Sequence, residues 1–298
     1  MSPLVALLII GVATAVTVAA MLLVRRRAPD GSFFADGDRA AGGFGVLATG
    51  FSVLLGLIVF LAFTSYDDSR SGAEAEAISV RQQFELAQFL PADVRGELGD
   101  ELVCYARSIV YVEWPALEAG TQDDVANPWT LAMFRTLKTT DPRTNAQQSA
   151  YDQWLDHTAD REQGRSDRIH GAVGIIPGPL WFVLLFIAVV IFAYVLFFAD
   201  SSERAKSQAM LMGSVTAVIA AMLLLIQFLN NPYSDYLGGL KPVAMERTLR
   251  IMDQERHGER MLDAAGGAPQ RFLIEPRWPG RRSRLTHQAP PSYGSRFR

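Results

Sequence analysis

The sequence predicts an all-α, polytopic membrane protein with four transmembrane helices in two hairpins and a helical polar domain between helices 2 and 3. Three observations carry that prediction. The 298 residues are 49% hydrophobic yet 20% charged, a mixture that arises when apolar and polar blocks alternate along one chain. Four blocks, 4–24, 44–66, 171–199 and 207–234, contain no Asp, Glu, Lys or Arg. Each reaches the roughly 20 residues a helix needs to cross about 30 Å of hydrocarbon. Between the second and third blocks, apolar residues recur at intervals of three and four, the helical period.

Taken in order, the first hairpin occupies 1–66, with helices at about 4–24 and 44–66. Its first helix is retained, not cleaved, because Arg25, Arg26 and Arg27 follow the apolar stretch and no basic region precedes it. An acidic polar domain spans 67–170, with 19 acidic against 10 basic residues. The second spanning helix is expected to continue out of the membrane through 73–90, since Gly72 is the only breaker there. Pro91 then opens a helix whose Val94, Leu98, Leu102, Tyr105, Ile109 and Val112 share a face, with Pro115 expected to stop it. A shorter helix near 129–138 and a long one over 145–170 follow the Asn127-Pro128 and Asp141-Pro142 breaks.

The second hairpin occupies 171–234, with helices at about 175–199 and 208–229. Its exit is unusual: Asn230, Asn231, Pro232, Tyr233, Tyr236, Gly238 and Gly239 follow the last apolar residue. The asparagines are suited to capping the helix end, Pro232 forbids its continuation, and the tyrosines are expected at the membrane interface. Pro242 opens an amphipathic segment within 235–263, with Met245, Leu249 and Met252 on one stripe. The tail, 264–298, is rich in Arg and Pro and expected to be disordered.

Charge sets an orientation. Arg25, Arg26, Arg27 and Arg39 lie in the first short loop, 25–43, and Arg204 and Lys206 in the second, 200–207. The positive-inside rule then puts both loops in the cytoplasm of a bacterial inner membrane, with the polar domain and both termini outside.

No catalytic apparatus is legible. The chain has no nucleophile elbow, phosphate loop, dinucleotide fingerprint or zincin motif, and no cofactor is implied. Cys104 is the single cysteine, and His157 and His170 are too far apart for a paired helical site, so no metal is expected. Nothing ionisable except Tyr lies in the spanning blocks, which argues against a proton relay. Lipid is the implied partner; nucleic acid is not.

Five motifs in a fixed order resemble the bacterial bestrophin-like membrane family. "EAEAI", with Glu74 and Glu76, follows the second helix. "YARSIVYVEWPAL", with Glu113, Trp114 and Pro115, lies mid-domain. Arg165 and Arg168 precede "IPGPLW", with Pro179 and Trp181, and Asn231, Pro232 and Tyr233 follow the fourth helix. The resemblance implies a non-enzymatic, four-helix subunit of a ring-shaped homo-oligomer, a pentamer, whose second helix lines an anion path. It also implies the opposite orientation, with the large domain and termini in the cytoplasm. Calcium gating is not implied, because Asp235 alone stands where eukaryotic relatives carry an acidic run.

Within that frame Phe51, Leu55 and Val59, at fourfold spacing, are candidates for an apolar pore neck, or else face lipid. Gly45, Thr49, Ser52 and Gly56 form a small-residue face suited to close helix packing. Arg161, Arg165 and Arg168 share a helical face that would raise local anion concentration if repeated around a ring. Interleaved Asp160, Glu162 and Asp167 make an ion-paired surface the plainer reading of those arginines. Glu113 to Pro115 and Trp181 read as structural. A different class of function stays open beside the channel: a non-conducting membrane scaffold or sensor whose polar helical domain binds partners.

Overall fold

The structure, a computed structural model, describes residues 2–27, 33–34, 36–121, 127–234 and 238–264. The tail from 265 onward, Asp235 and Tyr236 lie outside the described residues. Among the described residues the elements are all helical: α1 (Pro3–Arg25), α2 (Gly37–Ala87), α3 (Ala92–Ser108), a π-helical turn (Ile109–Glu113), α4 (Trp114–Glu118), α5 (Pro128–Lys138), α6 (Asn145–His170), a 3-10 turn (Gly171–Val173), α7 (Gly178–Phe197), α8 (Ala205–Leu229) and α9 (Val243–Ala264). The chain divides into two units, Met1–Arg256 and His257–Arg298. Of the second, the described residues are the C-terminal end of α9.

Four helices, α1, α2, α7 and α8, are long and apolar enough to cross a membrane. Local chemistry sets their ends. Ser2 caps α1, accepting from the Val5 amide, with Pro3 in the first turn where its missing N–H costs nothing. Asp36 caps α2 through the Arg39 amide at 3.0 Å. At the far end of α1, Arg25 donates to the carbonyls of Asp200, Ser201 and Glu203, tying that end to the loop before α8.

The two sequence hairpins are not the two packing pairs. α1 lies chiefly against α8, and α2 packs on both α7 and α8. The α1–α8 seam closes on small side chains: Gly213 faces Thr14 and Val18, and the Thr17 and Thr216 hydroxyls meet at 2.9 Å. In lipid, where apolar burial supplies little drive, such close approach and hydrogen bonding hold helices together.

α2 is the spine. Its 51 residues, about 76 Å at 1.5 Å per residue, run unbroken from the membrane span through Gly72 into the polar domain. There α6 lies along it. The crossing is tight because Gly72 and Gly164 face each other: a Cβ on Gly72 would sit 2.8 Å from the Gly164 carbonyl oxygen, and one on Gly164 would sit 2.7 Å from the Glu76 amide nitrogen. A second core gathers on this spine from α2, α3, α4, α5, α6 and α9, with Phe84, Leu98, Leu102, Ile109, Trp154 and Met252 fully buried. The predicted α9 stripe, Met245, Leu249 and Met252, packs into that core.

Pro115 does not stop its helix. The chain continues to Glu118, and the wider π-helical turn of Ile109–Glu113 falls immediately before the proline. An interior proline lacks the N–H a regular turn requires, and a π-bulge is one way to absorb that loss.

Candidate functional site

Where the spanning bundle meets the polar domain, ionisable side chains from three distant segments are buried together. Arg168, at the end of α6, has no exposed surface and meets Glu76 of α2, equally buried, through two bonds: Nε to Oε2 at 2.5 Å and Nη2 to Oε1 at 3.2 Å. The same Nη2 reaches Glu113 Oε2 at 2.8 Å, and Arg165 reaches Glu113 Oε1 at 2.6 Å. Two carboxylates and two guanidiniums thus balance. Such balance is what permits charges to be buried, since an unpaired one costs several kcal/mol, on the order of 3–5.

Neutral groups add to the shell, which still leaves the buried Arg168 Nη1 without a partner. The Tyr105 hydroxyl donates to Glu76 at 2.7 Å, Asn127 Nδ2 donates to Glu113 at 2.8 Å, and the Tyr233 hydroxyl donates to the Arg168 carbonyl at 2.6 Å. Trp114 lies over the Arg168 guanidinium, 5.8 Å from its ring centre, and packs edge-on against Tyr233. Its indole N–H donates to the Leu240 carbonyl. Burial alone would push the Glu113 carboxyl up, but the charges of Arg168 and Arg165 and their hydrogen bonds outweigh it and hold that carboxyl below its ordinary value. Burial raises the Tyr233 hydroxyl, and burial together with the Glu76 charge raises that of Tyr105, so both stay protonated donors.

The turn after α8 locks this hub to the membrane end. Asn230 caps α8 and its Oδ1 accepts from the Ile176 amide at 3.0 Å, while Gly174, at φ +71°, gives it room. Asn231 donates to the Gln227 carbonyl, capping the helix as its sequence position implies. Leu240 N–H closes on the Pro232 carbonyl, and the Tyr66 hydroxyl donates to the Gly238 carbonyl.

Several sequence expectations take a different place. Tyr233 is not interfacial but 2% exposed inside the polar-domain core. Arg161 and Arg168 do not present an anion-attracting surface: both are buried, Arg168 in the hub and Arg161 against Gln83 and the Tyr105 ring, and Arg165 is held by Glu113. Their charge is consumed internally, so little field reaches solvent. Phe51 and Leu55 turn inward, 4% and 8% exposed, into the core shared with α7 and α8, and Val59 is half-buried beside them. A side chain packed on its own subunit does not line a path between subunits. Glu74, unlike Glu76, faces out and pairs with Arg70. Pro179 is exposed in the first turn of α7, and Trp181 is half-buried against the membrane core.

What α2 leaves open lies opposite. Val46, Val53, Leu57 and Phe60 are 78, 68, 55 and 64% exposed, and Gly45, Thr49, Ser52 and Gly56 flank them, also exposed. The stripe ends on Asp67 and Asp68, both exposed.

An all-helical, multi-pass membrane protein with a charge-balanced joint between bundle and polar domain is thereby defined. The chain belongs to the bestrophin-like family, whose domain matches residues 11–237. Its fold is that of a bacterial bestrophin homologue from Klebsiella pneumoniae. Two point mutants of that protein are each 14% identical, with TM-scores of 0.61 and 0.62, and each covers 82% of this chain and 99% and 98% of its own. A structure described as a membrane protein mutant is 15% identical at a TM-score of 0.62, over 82% of this chain and 98% of its own. At such identity the likeness is one of fold. No curated protein matches the chain.

Proposed function

We propose that the chain is one subunit of a ring-shaped homo-oligomer, a pentamer, that passes anions across the bacterial inner membrane along a path lined by α2. The observation that carries this reading is the open α2 stripe. The subunit's own helices cover the Phe51 side of α2 and leave Val53, Leu57 and Phe60 bare over two helical turns, about 10 Å of its length. One bundle of four apolar helices encloses no polar path, so conduction requires copies set side by side. In such a ring Val53, Leu57 and Phe60 are the neck, an apolar constriction of the kind that gates by dewetting. The anion comes from kinship with the bestrophin anion channels.

A second reading, passage of cations, is favoured by Asp67 and Asp68 at the end of the same stripe, since rings of acidic side chains select cations. For orientation we keep the short-loop charges as the guide, with Arg25–Arg27 and Arg204 facing the cytoplasm. A reporter enzyme active only outside the cytoplasm, fused at the C-terminus, is expected to be active; an inactive fusion with a stable protein reverses the orientation.

The test of the function is flux with the purified protein in vesicles. Saturable ion flux is expected, with Phe60→Ala and Val53→Ala changing it at least about tenfold if they form the barrier, roughly 1.4 kcal/mol of it. The reversal potential under a salt gradient decides between anion and cation. No flux from a confirmed oligomer of the wild-type chain sinks the channel and leaves a scaffold or sensor built on the polar domain.

A further inference from the structure

The spanning bundle carries a groove that the channel reading leaves unused. It lies between α2, α7 and α8, on the Phe51 side of α2, with a volume of about 360 Å³. Val53, Leu57 and Phe60 take no part in it. Phe51, Leu55 and Ile191 form its floor, and Val218, 58% exposed, stands on its rim. From Phe44 to Leu55 it follows α2 for about 16 Å. Its two hydroxyls are spent within their own helices: Ser52 donates to the Ala48 carbonyl at 2.8 Å and Ser214 to that of Leu211 at 2.9 Å. What the groove offers an occupant is therefore apolar. Its lining residues all belong to spanning helices, so hydrocarbon is what reaches them, and an apolar hollow left unfilled forfeits dispersion contacts.

One end of the groove points to the short loops. Phe44, at that end, meets Tyr194 and Phe198 at the close of α7. On α8, Arg204, Gln208, Leu211, Val215 and Val218 recur at four and three and so share one face. Arg204 is its N-cap, and Val215 and Val218 line the groove. Lys206 falls on the opposite face by the same period. Arg25 ties the end of α1 to the carbonyls of Asp200, Ser201 and Glu203, just ahead of α8. That tie brings Arg26 and Arg27 toward Arg204 and Lys206, all four exposed. Of the acids in that loop, Asp200 is turned onto Ser202, which leaves Glu203 against four bases. Cations at the mouth of a groove between spanning helices are the arrangement that holds an anionic headgroup.

We infer that the groove holds one acyl chain of an anionic glycerophospholipid whose phosphate meets Arg204. The chain descends past Leu211, 60% exposed, to lie over Phe51 and Leu55. Arg26, Arg27 and Lys206 add attraction from the α1 side. A zwitterionic phospholipid brings the same chain and phosphate, but its ammonium is set against these cations. The site needs neither a ring nor conduction, and so stands even if the protein passes no ion.

The full chain, purified in detergent and stripped of lipid, is measured by native mass spectrometry with phosphatidylglycerol and with phosphatidylcholine of identical acyl chains. One saturable phosphatidylglycerol per subunit is expected, with phosphatidylcholine at least about tenfold weaker. Arg204→Gln should lose phosphatidylglycerol at least about tenfold and bind the two lipids alike. Lys206→Gln, on the far face of α8, should keep most of the preference. Val218→Trp fills the rim of the groove and should weaken both lipids. All three positions are exposed, so melting temperatures in lipid-free detergent should match wild type. Equal binding of the two lipids to wild type overturns the proposal. So does an equal loss in Arg204→Gln and Lys206→Gln, which would leave only diffuse attraction between charges. Unchanged binding to Val218→Trp overturns it as well, since the chain then lies elsewhere, and an intact wild-type assembly that retains no lipid would give the groove to a neighbouring copy.

Discussion

At Arg168 a guanidinium with no exposed surface is shared between two carboxylates from segments 92 and 55 positions away. Removing it by Arg168→Met strands Glu76, which is wholly buried. The expected loss is about 3–5 kcal/mol, with Arg168→Lys no real rescue because a point charge does not reproduce the two-pronged contact. Replacing both partners, Glu76→Leu with Arg168→Met, should be less damaging than Arg168→Met alone, since no buried charge at position 76 is then left behind. Denaturant unfolding in detergent measures these variants together with Glu76→Leu alone, and additive losses of the two single changes in the double would disprove the coupling. Tyr233→Phe, which removes the hydroxyl's bond to the Arg168 carbonyl and its contact with Ser69, should cost about 1 kcal/mol. Glu113 gives the hub a pH signature. Its folded pKa is depressed, by Arg168 and Arg165 against burial, so its contribution is present above the ordinary carboxylate range, near about 4.3, and fades as pH falls through the lower folded value. Wild type should therefore outlast Glu113→Gln at neutral pH and lose that advantage in acid, read from melting temperatures across pH. Glu101 runs the other way: burial raises its pKa, against the Thr136 hydrogen bond, so its charged form is disfavoured. Any stability it adds is present below the ordinary range and lost as pH rises through the folded value. The sequence shows that Arg161, Arg165 and Arg168 share a face, because that follows from the helical period. It does not show that the face points inward, because the partner that pulls Arg168 out of water is 92 residues away and arginine is ordinarily found outside.

Among the elements, the four spanning helices are legible from sequence because a helix that goes twenty residues without a charge is rarely found outside a membrane. The continuation of α2 beyond the membrane is legible too, since Gly72 alone weakens a helix without ending it. Its purpose at that position is not: Gly72 and Gly164 matter because two backbones touch there, a property of the pair and not of either segment. That contact makes a sharp prediction. A Cβ at Gly72 would lie 2.7 Å from the Asp167 Cβ and 2.8 Å from two backbone atoms, and neither helix can yield without shifting Glu76 from Arg168. Gly72→Ala and Gly164→Ala should each destabilise the protein by several kcal/mol, on the order of an overpacked core, despite alanine's better helix propensity. Gly50→Ala, with nothing within 4 Å of the new Cβ, should be neutral or slightly stabilising to the subunit. Thermal melts of the three variants side by side test this, and a tolerated Gly72→Ala would mean that the helices are not held at the distance seen. The π-helical turn before Pro115 is not legible in the sequence for a similar reason. A proline is expected to end its helix, whereas the packing of Trp114 against Tyr233 and Arg168 holds the segment on course.

For the whole molecule, the decisive property is what covers the open stripe of α2. Lipid covers apolar side chains well, so Val53, Leu57 and Phe60 alone do not demand a partner. The glycines do more. Gly45 and Gly56 are exposed and have nothing within 4 Å of an added Cβ, so a side chain at either can start outward without meeting its own subunit. If copies pack around α2, Gly56→Leu places a bulky group where neighbouring helices approach, and only the assembly should suffer. The expected result is an unchanged melting profile and helix content at high detergent, with the ring falling to smaller species by native mass spectrometry. Wild type should give a single dominant species of five subunits under the same conditions. A wild-type monomer across mild detergents would end the channel reading, because one four-helix bundle cannot enclose a polar path. A wild-type ring that Gly56→Leu leaves intact would keep the oligomer but move its seam off this face, and Val53, Leu57 and Phe60 would then be read as lipid-facing. If the ring breaks only in the variant, the Asp67 and Asp68 pairs of each subunit are brought together at the end of one shared path. Neutralising them with Asp67→Asn and Asp68→Asn should then shift the reversal potential toward anions without changing the subunit count. That outcome would assign the ion preference to this acidic ring and not to the arginines, whose charge the hub already balances with Glu76 and Glu113.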